Sequence, residues 1–181
     1  MSQLSAPSQA RTFAGGKDGN DGNDEVNVVI ETPSGSRTKY AWDPANRAFA
    51  VRKVLPLGTT FPYDFGFIAS TKAADGDPLD VLVLADEPLV LGCLVRCRVL
   101  GAIECKTSEA GGDEVRNDRI IAVPAASIAG AEWHTLGDIG ERLVREICDF
   151  LASYTRREGR TFALLGTVGR DEALGLVRAA T

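Results

Sequence analysis

Histidine occurs once in the 181 residues, as His134. A zinc site of the usual kind would therefore need most of its ligands from Cys93, Cys97, Cys105 and Cys148. Cys93 and Cys97 fall in one apolar stretch that reads as a strand, where four residues span ~13 Å. That separation excludes both a shared zinc and a disulfide between the two. The thiols read as reduced and mostly buried, the pattern of a cytoplasmic protein. Long apolar runs are lacking too: none approaches the ~18 residues of a membrane-crossing helix. Met1 to Ala10 carry no charged segment followed by an apolar one, so no secretory signal is expected. Nor is there a basic excess. Lys and Arg total 20 against 25 Asp and Glu, a formal net charge of −5. This argues against a general nucleic-acid binder but leaves room for a local anion site.

The chain has the hydrophobic and charged content of an ordinary globular protein, and its length suits one domain with a sizeable core. Residues 1–25 read as a disordered tail, because the run Gly15-Gly-Lys-Asp-Gly-Asn-Asp-Gly-Asn-Asp24 has nothing apolar to bury. Residues 26–181 read as a single domain. Short strands separated by turns are expected at Val26–Glu31, Lys39–Trp42, Ala48–Val54, Phe67–Ala69, Val81–Leu84, Cys93–Leu100 and Asn117–Val123. After Pro124 the period changes. Ile139, Leu143, Ile147, Phe150, Leu151 and Tyr154 follow helical spacing. Asp138 and Glu141 read as the capping pair of that helix, with Gly159 as its stop. A short strand at Phe162–Leu165 and a last helix at Asp171–Ala180 complete a strand-built barrel with one long and one short helix.

The densest chemistry lies in Asp75-Gly-Asp-Pro-Leu-Asp80, three carboxylates in six residues ahead of the apolar Val81-Leu-Val-Leu84. Acids gathered this closely repel one another, and a hard cation such as Mg²⁺ offsets that repulsion. The rival reading is a solvated acidic turn. An unbroken strand would put Asp80 on the face opposite Asp75 and Asp77, so convergence requires a bend, expected near Pro78.

The motif and its setting resemble the soluble family I inorganic pyrophosphatases. The setting comprises Val29-Ile-Glu-Thr-Pro33, Lys39-Tyr40, Phe61-Pro-Tyr-Asp-Phe-Gly-Phe-Ile68, Val95-Arg-Cys-Arg98, Ile120-Ile-Ala-Val-Pro124 and Phe150 with Tyr154. The resemblance runs from about Val26 to the C-terminus. It implies a mainly β fold with flanking helices: a twisted five-stranded barrel of the oligonucleotide-binding-like type plus two helices. It also implies Mg²⁺-dependent hydrolysis of inorganic pyrophosphate in a homo-oligomer, commonly a hexamer. Carried over by position, Asp75 and Asp80 resemble metal ligands, Asp77 the general base, and Glu31 a further metal-holding acid. Lys39 and Tyr154 resemble phosphate-binding groups. Each has a structural rival: Glu31 and Lys39 as an exposed cross-strand pair, Tyr154 as a core residue.

The chain also departs from the family pattern. An expected Glu is Ala41, an expected Arg is Lys53, and two expected tyrosines are Phe61 and Phe65. A metal-binding Asp falls near Thr107 or Ser108, and another on Asn117. Asp118 can replace the latter only through a bulge. Arg119 stands where the family has Lys, and Thr155 where it has another Lys, followed by Arg156 and Arg157. The reading is a divergent Mg²⁺-dependent diphosphatase. Asp77 is its base, Asp75, Asp80, Asp118 and Glu31 hold metal, and Lys39, Lys53, Arg119 and Tyr154 bind substrate. The alternative is a weakened phosphate- or metal-binding relative, or a hydrolase of another phosphorylated substrate. A third reading, an oligonucleotide-binding barrel, would need exposed aromatic stacking positions.

Overall fold

The computed structural model describes residues 24–74, 76–108 and 112–181. Strand β1 (Glu25–Thr32) begins inside the span read as tail; the rest of that span lies outside the described residues. β2 (Thr38–Asp43) and β3 (Ala48–Val54) form a separate two-stranded hairpin. β4 (Asp64–Ile68), β5 (Asp80–Val83), β6 (Leu94–Ser108), β7 (Val115–Arg116) and β8 (Arg119–Pro124) follow. The chain ends with α1 (Leu136–Ile139), α2 (Glu141–Arg157), β9 (Thr161–Val168) and α3 (Arg170–Ala180).

Pairing runs β1-β4-β5-β8-β6, and β6 returns to β1, so five strands close a barrel. Closure leaves no ladder edge within the ring. The β5–β8 pair alone is parallel in this ring, and a long connection joins it, as parallel pairing requires. Strand β6, at 15 residues, is far longer than the Cys93–Leu100 segment expected. Its first half joins β1 and β8, and its second half pairs β7 and β9. The register slips at Gly101, where a side chain would strike the Val168 carbonyl at 2.6 Å and Leu136 at 2.7 Å. The slip changes the alternation. Val99 and Ala102 share one core cluster, while Leu100 and Ile103 share the other.

These two clusters are the two faces of the barrel wall. One draws Val28, Ile68, Val81, Val99 and Ile120 from all five ring strands, with Ala173 and Val177 of α3 against it. The other packs Leu82, Ile103 and Ile121 against Ile147, Leu151 and Tyr154 of α2. Alternate residues of β5 and β8 therefore serve opposite cores, which is why both strands read as unbroken apolar runs.

Two local expectations need correction, and a third is sharpened. There are three helices, since the four-residue α1 precedes α2. Asp138 does not cap the long helix. It sits inside α1, accepts the His134 and Thr135 N–H groups at 2.9 and 2.7 Å, and leaves Gly140 as the α2 N-cap. The bend expected near Pro78 includes a left-handed turn at Gly76, with φ +91. The Gly76 N–H donates to Ala73 O at 3.0 Å and the Ala73 N–H to Asp77 O at 2.7 Å, folding the loop back on itself. Only glycine adopts that φ at little cost.

Candidate active site

The site is assembled on the barrel face that looks toward α2. Asp80 opens β5 opposite Phe67, and Phe67 in turn lies opposite Val29. The parallel β5–β8 register sets Arg119 beside Asp80, with its guanidinium 2.8 Å from the carboxylate. Glu31 sits in a β-bulge. Ile30 pairs with Gly66 and Thr32 with Phe65, which leaves Glu31 as the extra residue between them. A bulge of this kind re-aims one side chain without disturbing the ladder on either side.

Glu31 accepts the Trp42 N–H at 3.0 Å. Burial raises its pKa against that backbone bond, Asp80 and Asp77 add to the rise, and Lys39 opposes it. Its carboxyl thus feels two other acids and one lysine of the expected set. Glu31 and Lys39 are not a cross-strand pair, because the hairpin and the barrel are separate sheets. The residue opposite Lys39 is Lys53.

Both lysines face the ring of Tyr154. The Lys39 ammonium lies 5.7 Å and the Lys53 ammonium 4.4 Å from its centroid, within cation–π range. Lys53 also pairs with Glu158. Burial, then Lys39, then Arg160 push the Lys53 ammonium down to about 8. Tyr154 itself is locked in an aromatic cluster, 5.4 Å from Phe61 and stacked at 5.8 Å on Phe150. Its hydroxyl is buried and makes no hydrogen bond among the described residues. Burial raises its pKa, while Lys39 and Arg119 pull it down. Tyr154 is therefore both core and site: its ring packs, and its oxygen points among charges.

Phe61 and Phe65 are 0% and 7% exposed. They supply apolar packing around Tyr154 and offer no face to a nucleobase.

Asp118 is placed differently from the expectation. Its carboxylate accepts the Cys105 N–H at 3.0 Å and the Arg116 Nε–H at 2.6 Å, and the residue is buried. It ties the residues just before β8 to β6. Asn117 is the neighbour that meets the site, through hydrogen bonds from Arg119 to its side chain and to its carbonyl. Asp75 lies outside the described residues.

Two residues of this region carried no signal in the sequence reading. Arg160, just before β9, donates to the Thr107 hydroxyl at 3.2 Å, and Glu158 ends α2. Neither fits a linear motif. Arg160 reaches Thr107 only through the β6–β9 pairing, which joins segments 53 residues apart.

Among the described residues, no three His, Cys, Asp or Glu side chains close on a single point. The donor chemistry nonetheless suits a hard divalent cation. Glu31, Asp77 and Asp80 offer carboxylate oxygens only, and Asp80 and Asp77 help to raise the Glu31 pKa.

The family model described as Inorganic pyrophosphatase matches residues 28–181. An inorganic pyrophosphatase of Thermus thermophilus is 40% identical over 157 residues, covering 85% of this chain and 87% of the relative. One of Synechocystis sp. is 38% identical over 152 residues, covering 84% and 87%. The crystal structure of inorganic pyrophosphatase from Thermus thermophilus superposes with a TM-score of 0.80 at 36% identity, covering 92% of both chains.

Proposed function

The chain belongs to the inorganic pyrophosphatase family, and on that premise we propose how its residues hydrolyse inorganic diphosphate to two phosphates. The observation that carries the reading is the Tyr154 hydroxyl. It is buried without a hydrogen-bond partner among the described residues, and it feels the charges of Lys39, Arg119 and Asp80. A polar atom left without a bond in such a place has a ligand for its partner.

Glu31 and Asp80, with Asp75 of the same loop, hold Mg²⁺. When bound, this ion neutralises phosphate charge and acidifies water. Lys39, Lys53, Arg119 and Tyr154 bind phosphate oxygens; the cations offset the anion's charge, and the hydroxyl fixes its orientation. Asp77, exposed on the loop beyond the Gly76 turn, takes the proton of the attacking water. Lys53 keeps the charge of an arginine but holds one oxygen at a time. Asp118 is left out of the metal set because its Oδ1 already accepts from Cys105 and Arg116.

The same reading places the enzyme in the cytoplasm as a homo-oligomer, hexameric by resemblance. All four cysteines are free thiols, and no described helix is long and apolar enough to cross a membrane. Residues 26–181 act as one unit with the preceding segment as a tail.

Phosphate release from diphosphate with Mg²⁺, measured beside Asp77→Asn, tests the proposal. Turnover should disappear with chelator and fall by at least ~100-fold in the variant. Undiminished turnover in Asp77→Asn would remove Asp77 as the base. No release at any Mg²⁺ concentration would remove the activity.

A further inference from the structure

Ile68 and Leu79 face each other where the acidic loop leaves the barrel, one step beyond the Phe67–Asp80 pair. The Ile68 N–H donates to Leu79 O at 2.9 Å, as an antiparallel ladder requires. In the reciprocal direction a hydroxyl is inserted. The Leu79 N–H donates to Thr71 Oγ1 at 3.0 Å, and Thr71 Oγ1 donates to Ile68 O at 2.7 Å. Thr71 is buried, and its hydroxyl acts as donor and acceptor at once. The mechanism above gives it no part.

The bond to Ile68, three residues back, has an ordinary explanation: threonine hydroxyls satisfy nearby carbonyls in turns. That does not account for Leu79, eight residues ahead on the other limb of the loop. Nor does it account for the backbone that presents the hydroxyl. Ser70, just before it, has φ +63 and is one of two non-glycine residues with positive φ among the described residues. Such a conformation costs energy and persists where the surroundings enforce it. The next two residues are fastened as well. The Lys72 N–H donates to Ala180 O in α3 at 2.7 Å, and the Ala73 N–H to Asp77 O at 2.7 Å. Between Asp77 and Asp80 stand only Pro78 and Leu79, and proline has no N–H. The Leu79 N–H is therefore the one backbone donor in that link, and the Thr71 hydroxyl is what holds it.

We propose that Thr71 is a positioning residue for diphosphate hydrolysis, its hydroxyl setting Asp77 relative to Asp80. The proposal rests on the reading above, in which Asp77 is the base and Asp75 and Asp80 hold Mg²⁺. The groups assigned to phosphate stand on other elements: Lys39 and Lys53 on the hairpin, Arg119 on β8 and Tyr154 on α2. Releasing the link between the two aspartates therefore disturbs the base and the metal ligands and spares the phosphate contacts. The base of the loop stays fastened through Leu79 O and Ala180 O, so the barrel survives the loss of the hydroxyl. A shift of the reacting groups by a fraction of an ångström is enough to slow the chemical step.

Thr71→Val keeps the shape and removes the hydroxyl, whereas Thr71→Ser keeps the hydroxyl. Three measurements are compared with wild type: steady-state kinetics at saturating Mg²⁺, Mg²⁺ binding by calorimetry without substrate, and amide exchange of residues 72–80 in the metal-free protein. In Thr71→Val, kcat should fall by about tenfold to a hundredfold, while KM for diphosphate moves by less than about twofold. The Mg²⁺ dissociation constant should rise by about threefold or more. Exchange should quicken by about tenfold in 72–80 and stay unchanged in β6 and β8. Thr71→Ser should restore all three readings to within about threefold of wild type. If Thr71→Val does not fold, Thr71→Ala, which removes the hydroxyl without adding a methyl group, is read in the same way. A lowered melting midpoint with kcat, Mg²⁺ binding and loop exchange unchanged would overturn the proposal by leaving Thr71 structural. So would a loss of kcat that serine does not restore, or a rise in KM at constant kcat. Full turnover in Asp77→Asn would remove the underlying reading, and the proposal with it.

Discussion

Lys39 and Lys53 stand directly opposite one another across the β2–β3 hairpin. Like charges at opposed positions weaken a hairpin, and the next pair along is displaced by a bulge at Arg52. The arrangement makes sense when an anion shares the two ammonium groups.

The pair sets a pH response. Lys53 is held at about 8 by burial, Lys39 and Arg160. A protonated Lys53 is the form that binds phosphate, so the KM for diphosphate should rise as pH passes through about 8. Lys39→Gln removes one of the charges pushing Lys53 down, and the break should move to higher pH. KM–pH profiles of the two proteins check this. A break that stays in place would mean that Lys53 does not report on Lys39.

Tyr154→Phe should separate stability from function. The hydroxyl is buried without a partner, so its loss should leave stability unchanged or raise it by up to about 1 kcal/mol, roughly 2–4 °C in the thermal midpoint. Without that hydrogen bond to phosphate, kcat/KM should fall by about tenfold or more. Melting curves and steady-state kinetics on the same preparation are sufficient. A large loss of stability with unchanged kcat/KM would return Tyr154 to a purely packing role.

Glu31 links stability to pH with a definite sign. Its folded pKa is raised above 4.5, first by burial and then by Asp80 and Asp77. The folded chain therefore keeps this proton longer than the unfolded chain does. The metal-free protein should be favoured at low pH by this group, and that advantage should be lost as pH rises through the raised pKa. Relative to wild type, Glu31→Gln should gain thermal stability over that interval. Mg²⁺ should narrow the difference by favouring the ionised carboxylate. A wild-type/variant difference that ignores both pH and Mg²⁺ would contradict the assignment.

Asp118→Ala distinguishes a structural carboxylate from a metal ligand. Removing it leaves the Cys105 N–H and Arg116 without their partner. The expected cost is about 1–3 kcal/mol of stability, with the Mg²⁺ concentration for half-maximal activity unchanged. A several-fold rise in that concentration without a fall in the thermal midpoint would restore Asp118 to the metal set.

Much of this was legible in the chain because it is local. The β3 segment was expected at the residues where it occurs, since turn residues bracket an alternating run. Helical spacing located α2, and Gly159, at φ +74, closes it. What escaped depended on register. Nothing in Val26–Glu31 indicates that Glu31 is a bulged residue; that follows from its pairing with β4. The neighbours Asn117 and Asp118 could not be ranked until the β6 contacts assigned one to Arg119 and the other to Arg116. The second half of β6 was missed because Gly101 breaks its alternation. Arg160 was invisible because its partner lies across a β6–β9 ladder with no short-range signature.

The length of β6 also has a kinetic consequence. One strand supplies a ladder to β1, β7, β8 and β9, so residues 94–108 must find partners as distant as Glu25 and Thr161. Contacts so far apart in sequence close large loops before they yield any stabilisation, which puts folding in the slow class of roughly milliseconds to seconds. A chain still emerging from synthesis, before residue 161, would have a closed ring but an outer half of β6 lacking its β9 partner. Such an edge invites another chain, and pairing with residues 161–168 covers it.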